Sequence, residues 1–443
     1  MAEFQTMNLL VTNTRHSQAY AIIRALRPHA QKIVVSMYGR NYLAARLSHA
    51  ANSRLVDRRY RVPSPVEDWE QGKIQRENTE QEEKYIQAIE RICEKEEITT
   101  IFPSYDPHVY VFSKNKERFA KMGILIPIPD YETVITPLDK YRTACAAQEV
   151  GFPCPKTYLP ESDDELRRIA GEVGLPLVIR PRFSSGAEGM QIVNDVGSLA
   201  ERFRFVETHY GPAIVQEYIP GSRTQTQCSY RVVLTKDGEL VAGFSTRILR
   251  AFFRLRRNWV VAHEFVIPGP YLMDAVKLLN RIGWWGGATV STKVDPRDGL
   301  PKLTEINCRL GSRLWHVTEL GFNVPLVCLK IARGEKVDWS ENYPCGTLVV
   351  DPMEDGLQLG LWTLDFLLYK LRIGVLKRTP VDPLKAPMAP GAILQSYRST
   401  YLTKSPRVFS PYFRHCLQDP VVSILRWLSL SKPILRHINE LGK

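Results

Sequence analysis

Short apolar runs alternate with helical patterns through the first third of the chain, and this alternation limits the folds available to it. The predicted strands are Leu9–Thr12, Lys32–Met37, Ile98–Pro103 and Ile124–Ile128, with a charged amphipathic helix at Glu80–Lys95 before the third. Strands separated by helices pair in parallel, so the pattern predicts a doubly wound parallel sheet in residues 1–135. No Gly-x-Gly-x-x-Gly follows the first strand, which disfavours a simple NAD-dependent enzyme.

The composition is that of a soluble globular protein with several domains. The 443 residues correspond to about three domains at roughly 150 residues each, and 44% hydrophobic with 24% charged residues excludes disordered and fibrous classes. Eight scattered cysteines form no Cys-x-x-Cys pair, which argues against a zinc ribbon and favours reduced thiols. Residues 1–7 lack the basic region of a signal peptide, and the apolar stretch 356–376 is interrupted by charges. These features predict a cytoplasmic protein.

Positive charge is concentrated near the C-terminus. The formal net charge is +12, and residues 356–443 contain 13 lysines and arginines against four acidic residues. A leucine repeat at steps of three and four from Leu357 to Val375 predicts an amphipathic helix, so residues 336–443 are predicted to form a basic, mostly helical extension. Such a segment suits peripheral contact with an anionic membrane or a protein partner, with a solvated basic face as the alternative. No nucleic-acid-reading motif is present, so no nucleic acid is expected as a partner.

A strand followed by a loop of small residues lies in the middle third of the chain. Leu177–Arg180 and Met190–Val193 are predicted strands, and the loop between them contains Ser184, Ser185, Gly186 and Gly189. The first strand delivers a fixed cation, Arg180, and the small residues let backbone N–H groups approach phosphate oxygens. Taken alone, an ordinary strand–loop–strand hairpin is the alternative.

Two further segments fit the same kind of site. The predicted strand at 213–218 ends in Gln216, Glu217, Tyr218 and Ile219, whose main-chain groups can serve a purine ring. Lys140 opens a helix and is a second candidate cation for phosphate, with an ordinary surface lysine as the alternative.

Three polar side chains share one face of the predicted strand Leu303–Arg309. Residues two apart on a strand point the same way, so Glu305, Asn307 and Arg309 face one side. A carboxylate and an amide oxygen can hold Mg²⁺, and the arginine supplies a fixed charge for a phosphoryl group. A purely structural role for three polar side chains on one strand face is the less favoured alternative.

Taken together and in this order, the segments from about residue 8 to 335 resemble the ATP-grasp superfamily, in particular the carboxylate–amine ligases, carbamoyl-phosphate synthetase and biotin carboxylase. The resemblance implies a pre-ATP-grasp domain in residues 1–135 and a two-subdomain ATP-grasp fold in residues 136–335. It implies ATP with Mg²⁺ or Mn²⁺ as cofactors. It further implies that Lys140 and Arg180 bind the phosphates, that Ser184–Gly189 is the phosphate loop and that Gln216–Ile219 is the adenine hinge. It also implies that Glu305 and Asn307 are metal ligands and that Arg309 and Arg180 are catalytic cations.

Two positions depart from the family pattern. Gln216 stands where the family usually has a glutamate, and its amide oxygen can still accept a hydrogen bond from an adenine amino group. If the turn of the predicted hairpin centres on Asp298, Ser291 lies opposite Glu305, where the family typically carries an acidic or Gln metal ligand. Asp295 and Asp298 are better explained as turn residues.

Arginines and aromatic residues alternate between Arg247 and Trp259. Guanidinium groups bind carboxylates in a bidentate manner, so Arg247, Arg250 and Arg254 are candidate substrate contacts in a loop over an anionic substrate. A solvated basic loop is the alternative.

The predicted function is an ATP-dependent carboxylate–amine ligase that forms an amide through an acyl phosphate from small-molecule acid and amine substrates. One alternative is the activation of bicarbonate in the manner of carbamoyl-phosphate synthetase or biotin carboxylase. Another is a catalytically inactive ATP-binding module tethered by its basic tail, which the departure at Ser291 motivates.

Overall fold

The computed structural model describes most of the chain up to residue 350. The described residues are 7–14, 17–38, 50–184, 188–221, 227–252, 259–266, 269, 271–311, 317–318, 320–337, 345–350 and 419. The predicted helical extension therefore lies almost entirely outside the described residues. Within the part that is described, no helix combines the length and the apolar character that crossing a membrane requires.

The N-terminal part forms a four-stranded parallel sheet in the order β3-β2-β1-β4. Its strands are β1 (Met7–Thr12), β2 (Ala30–Met37), β3 (Arg58–Arg61) and β4 (Thr100–Phe102), and its helices are α1 (Ser17–Leu26), α2 (Glu67–Glu70), α3 (Glu80–Glu96), α4 (Asp106–Lys114) and α5 (Lys116–Lys121). Leu10 of β1 lies in a core with Tyr85 of α3, whereas the next residue back, Leu9, lies in a core with Ile22 of α1. Because successive strand residues face opposite sides, helices cover both faces of the sheet, which confirms the doubly wound prediction.

One predicted strand of this sheet is wrong. Ile124–Ile128 forms no strand; only Leu125 pairs with Thr100, in an isolated bridge. The isoleucines of this run are buried, which accounts for its apolar pattern, but Pro127 and Pro129 have no N–H to donate to a ladder. The fourth strand is instead β3, whose sequence Arg-Arg-Tyr-Arg is mostly exposed, as an edge strand can be.

A smaller antiparallel sheet follows, in the order β5-β8-β6-β7. Its elements are β5 (Thr157–Tyr158), α8 (Asp163–Val173), β6 (Leu177–Pro181), β7 (Gln191–Val193), α9 (Leu199–Tyr210) and β8 (Ala213–Glu217), and it is preceded by α6 (Tyr131–Leu138) and α7 (Lys140–Glu149). Leu177 and Val215 of the sheet pack against Leu166 of α8 and Phe203 of α9. This sheet therefore has a core of its own.

A larger antiparallel sheet has the order β13-β12-β9-β10-β11-β14. Its elements are β9 (Gln227–Leu234), β10 (Leu240–Phe252), β11 (Trp259–Val266), α10 (Tyr271–Arg281), β12 (Gly286–Val294), β13 (Pro301–Asn307), α11 (Val324–Arg333) and β14 (Leu348–Val350). Ile306 of β13 lies in the same core as Ile89 of α3, and the Asn323 amide donates to the Ala25 carbonyl oxygen at 2.8 Å. The larger sheet therefore packs directly against the N-terminal domain.

Two described parts of the region after residue 335 contact the rest of the fold. β14 pairs with β11 through Leu348–Val350, so the larger sheet continues into the segment that the sequence assigned to the extension. Asp419 is buried, and it accepts a hydrogen bond from the Ser53 hydroxyl at 2.5 Å.

Candidate functional site

A cavity lies where the smaller sheet, the larger sheet and the N-terminal domain meet. Its walls include Lys140 at the start of α7, Ser184 after β6 and Gln216 on β8. Glu305 and Asn307 of β13 form another part of the wall. Asp106, the first residue of α4, completes the wall on the side of the N-terminal domain. Residues predicted from four separate segments are thus brought to one place.

The Arg180 guanidinium connects three strands at this cavity. Its Nη1 donates to the Gln216 side-chain oxygen on β8 and to the Thr304 carbonyl oxygen on β13, both at 3.2 Å. The Gln216 amide nitrogen donates to the Thr157 hydroxyl at 2.9 Å. Gln216 therefore serves as a buried spacer between a cation and a hydroxyl, a role for which an amide is suited because it both accepts and donates.

Lys140 is a buried cation at the start of α7. Its ammonium donates to the Ser184 carbonyl oxygen at 2.8 Å and to the Ser184 hydroxyl at 3.0 Å. Burial and the nearby Arg180 guanidinium lower the pKa of Lys140 to about 7, although Glu305, Asp106 and Asp139 act in the opposite direction. No carboxylate of the described residues forms an ion pair with Lys140, so an anionic ligand can supply the opposite charge.

Only the ends of the predicted phosphate loop are described. Ser184 contacts Lys140, whereas Ser185 and Gly186 lie outside the described residues. Gly189 has a φ of +72°, and a Cβ there would lie 2.6 Å from Pro181 Cγ. Both the backbone conformation and the close approach require glycine at this end of the loop.

Asp139 holds the start of α7 in position. Its carboxylate accepts from the backbone N–H groups of Tyr141 and Arg142 as the N-cap, and it forms a bidentate pair with Arg182 at 2.7–2.9 Å. The Asp139 side chain is 1% exposed. The position of Lys140 therefore depends on a buried ion pair that also ties α7 to the end of β6.

Glu305 and Asn307 lie side by side on β13. The Asn307 amide nitrogen donates to Glu305 Oε1 at 3.1 Å. Burial would raise the pKa of Glu305, but Arg180, the Asn307 hydrogen bond, Lys140 and Arg309 outweigh burial and hold it below its usual value. Glu305 is therefore an ionised carboxylate beside an amide, as the predicted metal site needs.

Ser291 lies opposite Glu305 in the β12–β13 ladder, as the sequence predicted. Ser291 is buried, and the described residues contain no group of three or more His, Cys, Asp or Glu side chains that could hold a metal. Mg²⁺ is commonly bound through one or two carboxylates together with substrate phosphates and water. One carboxylate and one amide oxygen fit an ion of that kind, which would be held largely by the nucleotide.

Arg309 pairs across to the N-terminal domain. Its Nε donates to Asp106 Oδ2 at 3.1 Å, and both side chains are largely buried. The Asp106 contact raises the pKa of Arg309 above its usual value despite its burial. Sequence reasoning did not select Asp106, because a single aspartate before a proline at the start of a helix has the pattern of an ordinary helix N-terminus.

The predicted adenine hinge is braced by residues of the larger sheet. Arg297 donates to Glu217 Oε1 at 2.6 Å, and Lys293 donates to the Ile219 carbonyl oxygen at 2.6 Å. The Lys293 ammonium also lies 5.5 Å from the centre of the Tyr218 ring. Neither basic residue belongs to a motif, so no local pattern predicts these contacts.

The described part of the arginine-rich segment forms strands where the sequence predicted a loop, and residues 253–258 lie outside the described residues. Arg247 and Arg250 lie in β10, and Trp259 lies in β11, so this part of the segment is an antiparallel ladder. Arg247 pairs with Glu264 of β11 at 2.9 Å. The Arg250 side chain and all of Arg254 lie outside the described residues, so the predicted substrate contacts remain a prediction.

Two family models match parts of the chain. "PylC-like, N-terminal domain" matches residues 78–127, and "Carbamoyl-phosphate synthase L chain, ATP binding domain" matches residues 139–219. The biotin carboxylase domain of the Hydrogenobacter thermophilus 2-oxoglutarate carboxylase, solved with MgADP and bicarbonate, is 18% identical with a TM-score of 0.61, covering 77% of this chain and 73% of that one. Biotin carboxylase from Campylobacter jejuni is also 18% identical with a TM-score of 0.60, covering 79% and 75%. The family models and the shared fold support the resemblance of the chain to the ATP-grasp superfamily.

The curated relatives match over shorter lengths. A formate-dependent phosphoribosylglycinamide formyltransferase of Sulfolobus acidocaldarius is 27% identical over 159 residues, which is 34% of this chain and 38% of that protein. The carbamoyl phosphate synthase large chain of Thermus thermophilus is 40% identical over 74 residues, which is 17% of this chain and 7% of that protein. The matched segments thus span well under half the length of these curated relatives, so the activities of those proteins are suggestions for this chain.

Proposed function

We propose that this protein is an ATP-dependent ligase that joins a small carboxylic acid to an amine with release of ADP. The observation that carries the proposal is the cavity lined by Lys140, Glu305 and Asn307, with Arg180 bonded to two other residues of its wall, Gln216 and Thr304. A buried lysine and a part-buried arginine beside an ionised carboxylate and an amide can hold a nucleotide triphosphate with its divalent cation. The described residues supply no Ser–His or Cys–His pair at this cavity, so the site is suited to a reaction driven by alignment and fixed charge.

The nucleotide is proposed to lie between the two antiparallel sheets. Lys140 and Arg180 would bind its phosphates, the loop Ser184–Gly189 would cover them, and Gln216–Ile219 would hold the adenine. Glu305 and Asn307 would hold Mg²⁺, or Mn²⁺ in its place. When bound, the ion would neutralise charge on the phosphates and polarise the transferred group.

The proposed reaction has two steps. A carboxylate oxygen attacks the γ-phosphorus, the bond from that phosphorus to the β,γ-bridging oxygen breaks, and ADP leaves with the bonding electrons. The amine nitrogen then attacks the acyl carbon, the bond from carbon to the phosphate oxygen breaks, and inorganic phosphate leaves as the nitrogen gives up its proton. Arg180 and Arg309 are placed to balance the negative charge of the phosphoryl group.

The domain limits are part of the proposal. A pre-ATP-grasp domain in residues 1–135 agrees with the extent of the parallel sheet, and an ATP-grasp domain begins at residue 136. Its limit at residue 335 is better moved past β14, which pairs with β11. The remainder would form the C-terminal extension.

Two other functions have specific support. Activation of bicarbonate is suggested by the names of the matched carboxylases and synthases. A catalytically inactive ATP-binding module is suggested by Ser291, which leaves β12 without an acidic side chain opposite Glu305.

One assay separates these functions. ADP release is measured with Mg²⁺ against amino acids, small carboxylates, uronic acids and bicarbonate, each with and without ammonia, alkylamines, polyamines and amino acids. Release that needs both an organic acid and an amine is the expected result. Release with bicarbonate alone would favour the second function. Calorimetric ATP binding without turnover on any acid would favour the inactive module.

The pKa of Lys140 predicts how ATP binding depends on pH. With a pKa of about 7, about half of the ligand-free molecules carry a neutral amine at pH 7, and phosphate binding raises this pKa because it supplies the opposite charge. ATP affinity should therefore be full below pH 7 and fall by up to about tenfold per pH unit above it. Calorimetry in two buffers of different ionisation enthalpy should detect proton uptake at pH 7, and Lys140→Met should remove most of it. Equal proton uptake in that variant would exclude Lys140 as the source.

We also propose that the basic extension makes the protein membrane-peripheral or binds a protein partner. The proposal rests on the excess of basic residues in 356–443. The full chain should sediment with phosphatidylserine vesicles at low salt and separate from them at high salt, because the contact is electrostatic. If charge-reversed extension variants sediment equally well, the membrane contact is excluded.

A further inference from the structure

Asp106 is a buried carboxylate that the proposed nucleotide and metal sites do not use. It belongs to the N-terminal domain, at the first position of α4, yet it lines the same cavity as Lys140, Glu305 and Asn307. The residue is 5% exposed. Burying an ionised carboxylate costs free energy unless it is paired and hydrogen-bonded, so the contacts of Asp106 are informative.

The contacts of Asp106 satisfy only part of its capacity. Oδ2 accepts from Arg309 Nε at 3.1 Å. Oδ1 contacts only the Cys308 thiol, at 3.6 Å, among the described residues. A thiol is a weak donor, and a carboxylate can accept about four hydrogen bonds, so Oδ1 retains room for a stronger donor.

A second incompletely paired group lies at the neighbouring strand end. Asn13 follows β1 at the carboxyl edge of the parallel sheet, and the Ser104 hydroxyl, two residues before Asp106, donates to its carbonyl oxygen at 3.1 Å. The Asn13 side chain is fully buried, and among the described residues neither its oxygen nor its nitrogen has a hydrogen-bond partner. Its φ is +55°. In the order β3-β2-β1-β4 this edge, between β1 and β4, is where the chain reverses direction across the sheet, and ligands of such sheets bind at that point.

The charges of the reactants identify what Asp106 can bind. This step rests on the ligase function proposed above. ATP and the carboxylic acid are both anionic and would be repelled by a second carboxylate, and Glu305 and Asn307 already account for the metal. The amine substrate, protonated at neutral pH, is the remaining cation of the reaction.

We propose that Asp106 binds the ammonium group of the amine substrate and thereby selects a cationic amine, such as the amino group of an amino acid or an alkylamine. The amine would enter from the side of the N-terminal domain, next to the phosphoryl group that Arg309 balances. The bound ammonium loses one proton to water, and the neutral nitrogen then attacks the acyl carbon.

The test compares two nucleophiles in Asp106→Asn, using the acid and amine that give the highest ADP release in the assay above. Hydroxylamine is uncharged at neutral pH and traps an acyl phosphate as a hydroxamate, so its reaction does not need a carboxylate partner. We expect the KM for the amine to rise roughly 10- to 100-fold, the loss of one charged hydrogen bond, while hydroxamate formation stays within about threefold of wild type. Asp130→Asn, which removes an exposed partner of Lys116 in the same domain, should change neither.

The other possible outcomes of the Asp106→Asn experiment lead to different conclusions. Equal loss of activity with the amine and with hydroxylamine would show that Asp106 only positions Arg309, and would overturn the proposal. An unchanged KM for the amine, or a rise in KM for the acid alone, would overturn it as well. Absence of hydroxamate in the wild type would instead refute the ligase function itself. If Asp106→Asn fails to fold by calorimetry, Asp106→Glu keeps the charge and should retain amine selectivity; loss of that selectivity in a folded Asp106→Glu protein with normal hydroxamate formation would contradict the proposal.

Discussion

Glu305→Gln is expected to lower turnover on the order of 10³-fold while leaving metal-free ATP binding as tight as in wild type or tighter. Glu305 is held ionised between Arg180, Lys140 and Arg309. The substitution removes the negative charge and leaves three cations, so the fully ionised nucleotide gains net attraction. The metal loses its carboxylate ligand, and Mg²⁺ should no longer promote the reaction.

The measurements for Glu305→Gln are calorimetric ATP titrations with EDTA and with Mg²⁺, together with ADP release. Glu80→Gln is the matched control, since Glu80 is an exposed partner of Lys84 on α3, distant in sequence from the site. Turnover near the wild-type rate in Glu305→Gln would remove Glu305 from the metal site. A fall in metal-free ATP affinity would show that Glu305 acts mainly by holding the cations in place.

The sequence predicted the parallel sheet because its central strands carry strong local signals. β1 and β2 each contain a fully buried apolar run, Leu9–Val11 and Ile33–Val35, as expected of strands covered on both faces. β3 was missed because an edge strand of arginines and tyrosine has no apolar pattern. Ile124–Ile128 has that pattern for a different reason: its side chains fill the core, while its prolines prevent a ladder.

The candidate site shows the same division between local and long-range information. Glu305 and Asn307 are found from a strand because their spacing alone puts them on one face, and the opposition of Ser291 follows from counting back through one hairpin. Asp106 reaches Arg309 across 203 residues of sequence, and Arg297 reaches Glu217 across 80. Such pairs depend on how domains pack, and no local spacing encodes that.

Asp139 combines two functions that can be separated by substitution. It caps α7 through two backbone N–H groups, and it holds Arg182 in a bidentate ion pair that raises the pKa of the arginine. Asparagine is as good an N-cap as aspartate but lacks the charge, whereas alanine provides neither. Arg182 is 24% exposed, so part of its charge remains solvated when Asp139 is lost.

Asp139→Ala should therefore destabilise the fold by about 3 kcal/mol, of which about 1 kcal/mol is the lost cap and about 2 kcal/mol the lost buried partner. Asp139→Asn should keep the cap and lose only about 2 kcal/mol. In differential scanning calorimetry of the 443-residue chain these values correspond to falls in Tm of roughly 2–3 °C. Asp130→Ala is the control, because Asp130 holds the N-cap position of α6 without a side-chain cap bond, and its Tm should stay close to wild type. If Asp139→Ala melts at the temperature of that control, the ion pair does not stabilise α7, and another contact must hold Lys140 at the cavity.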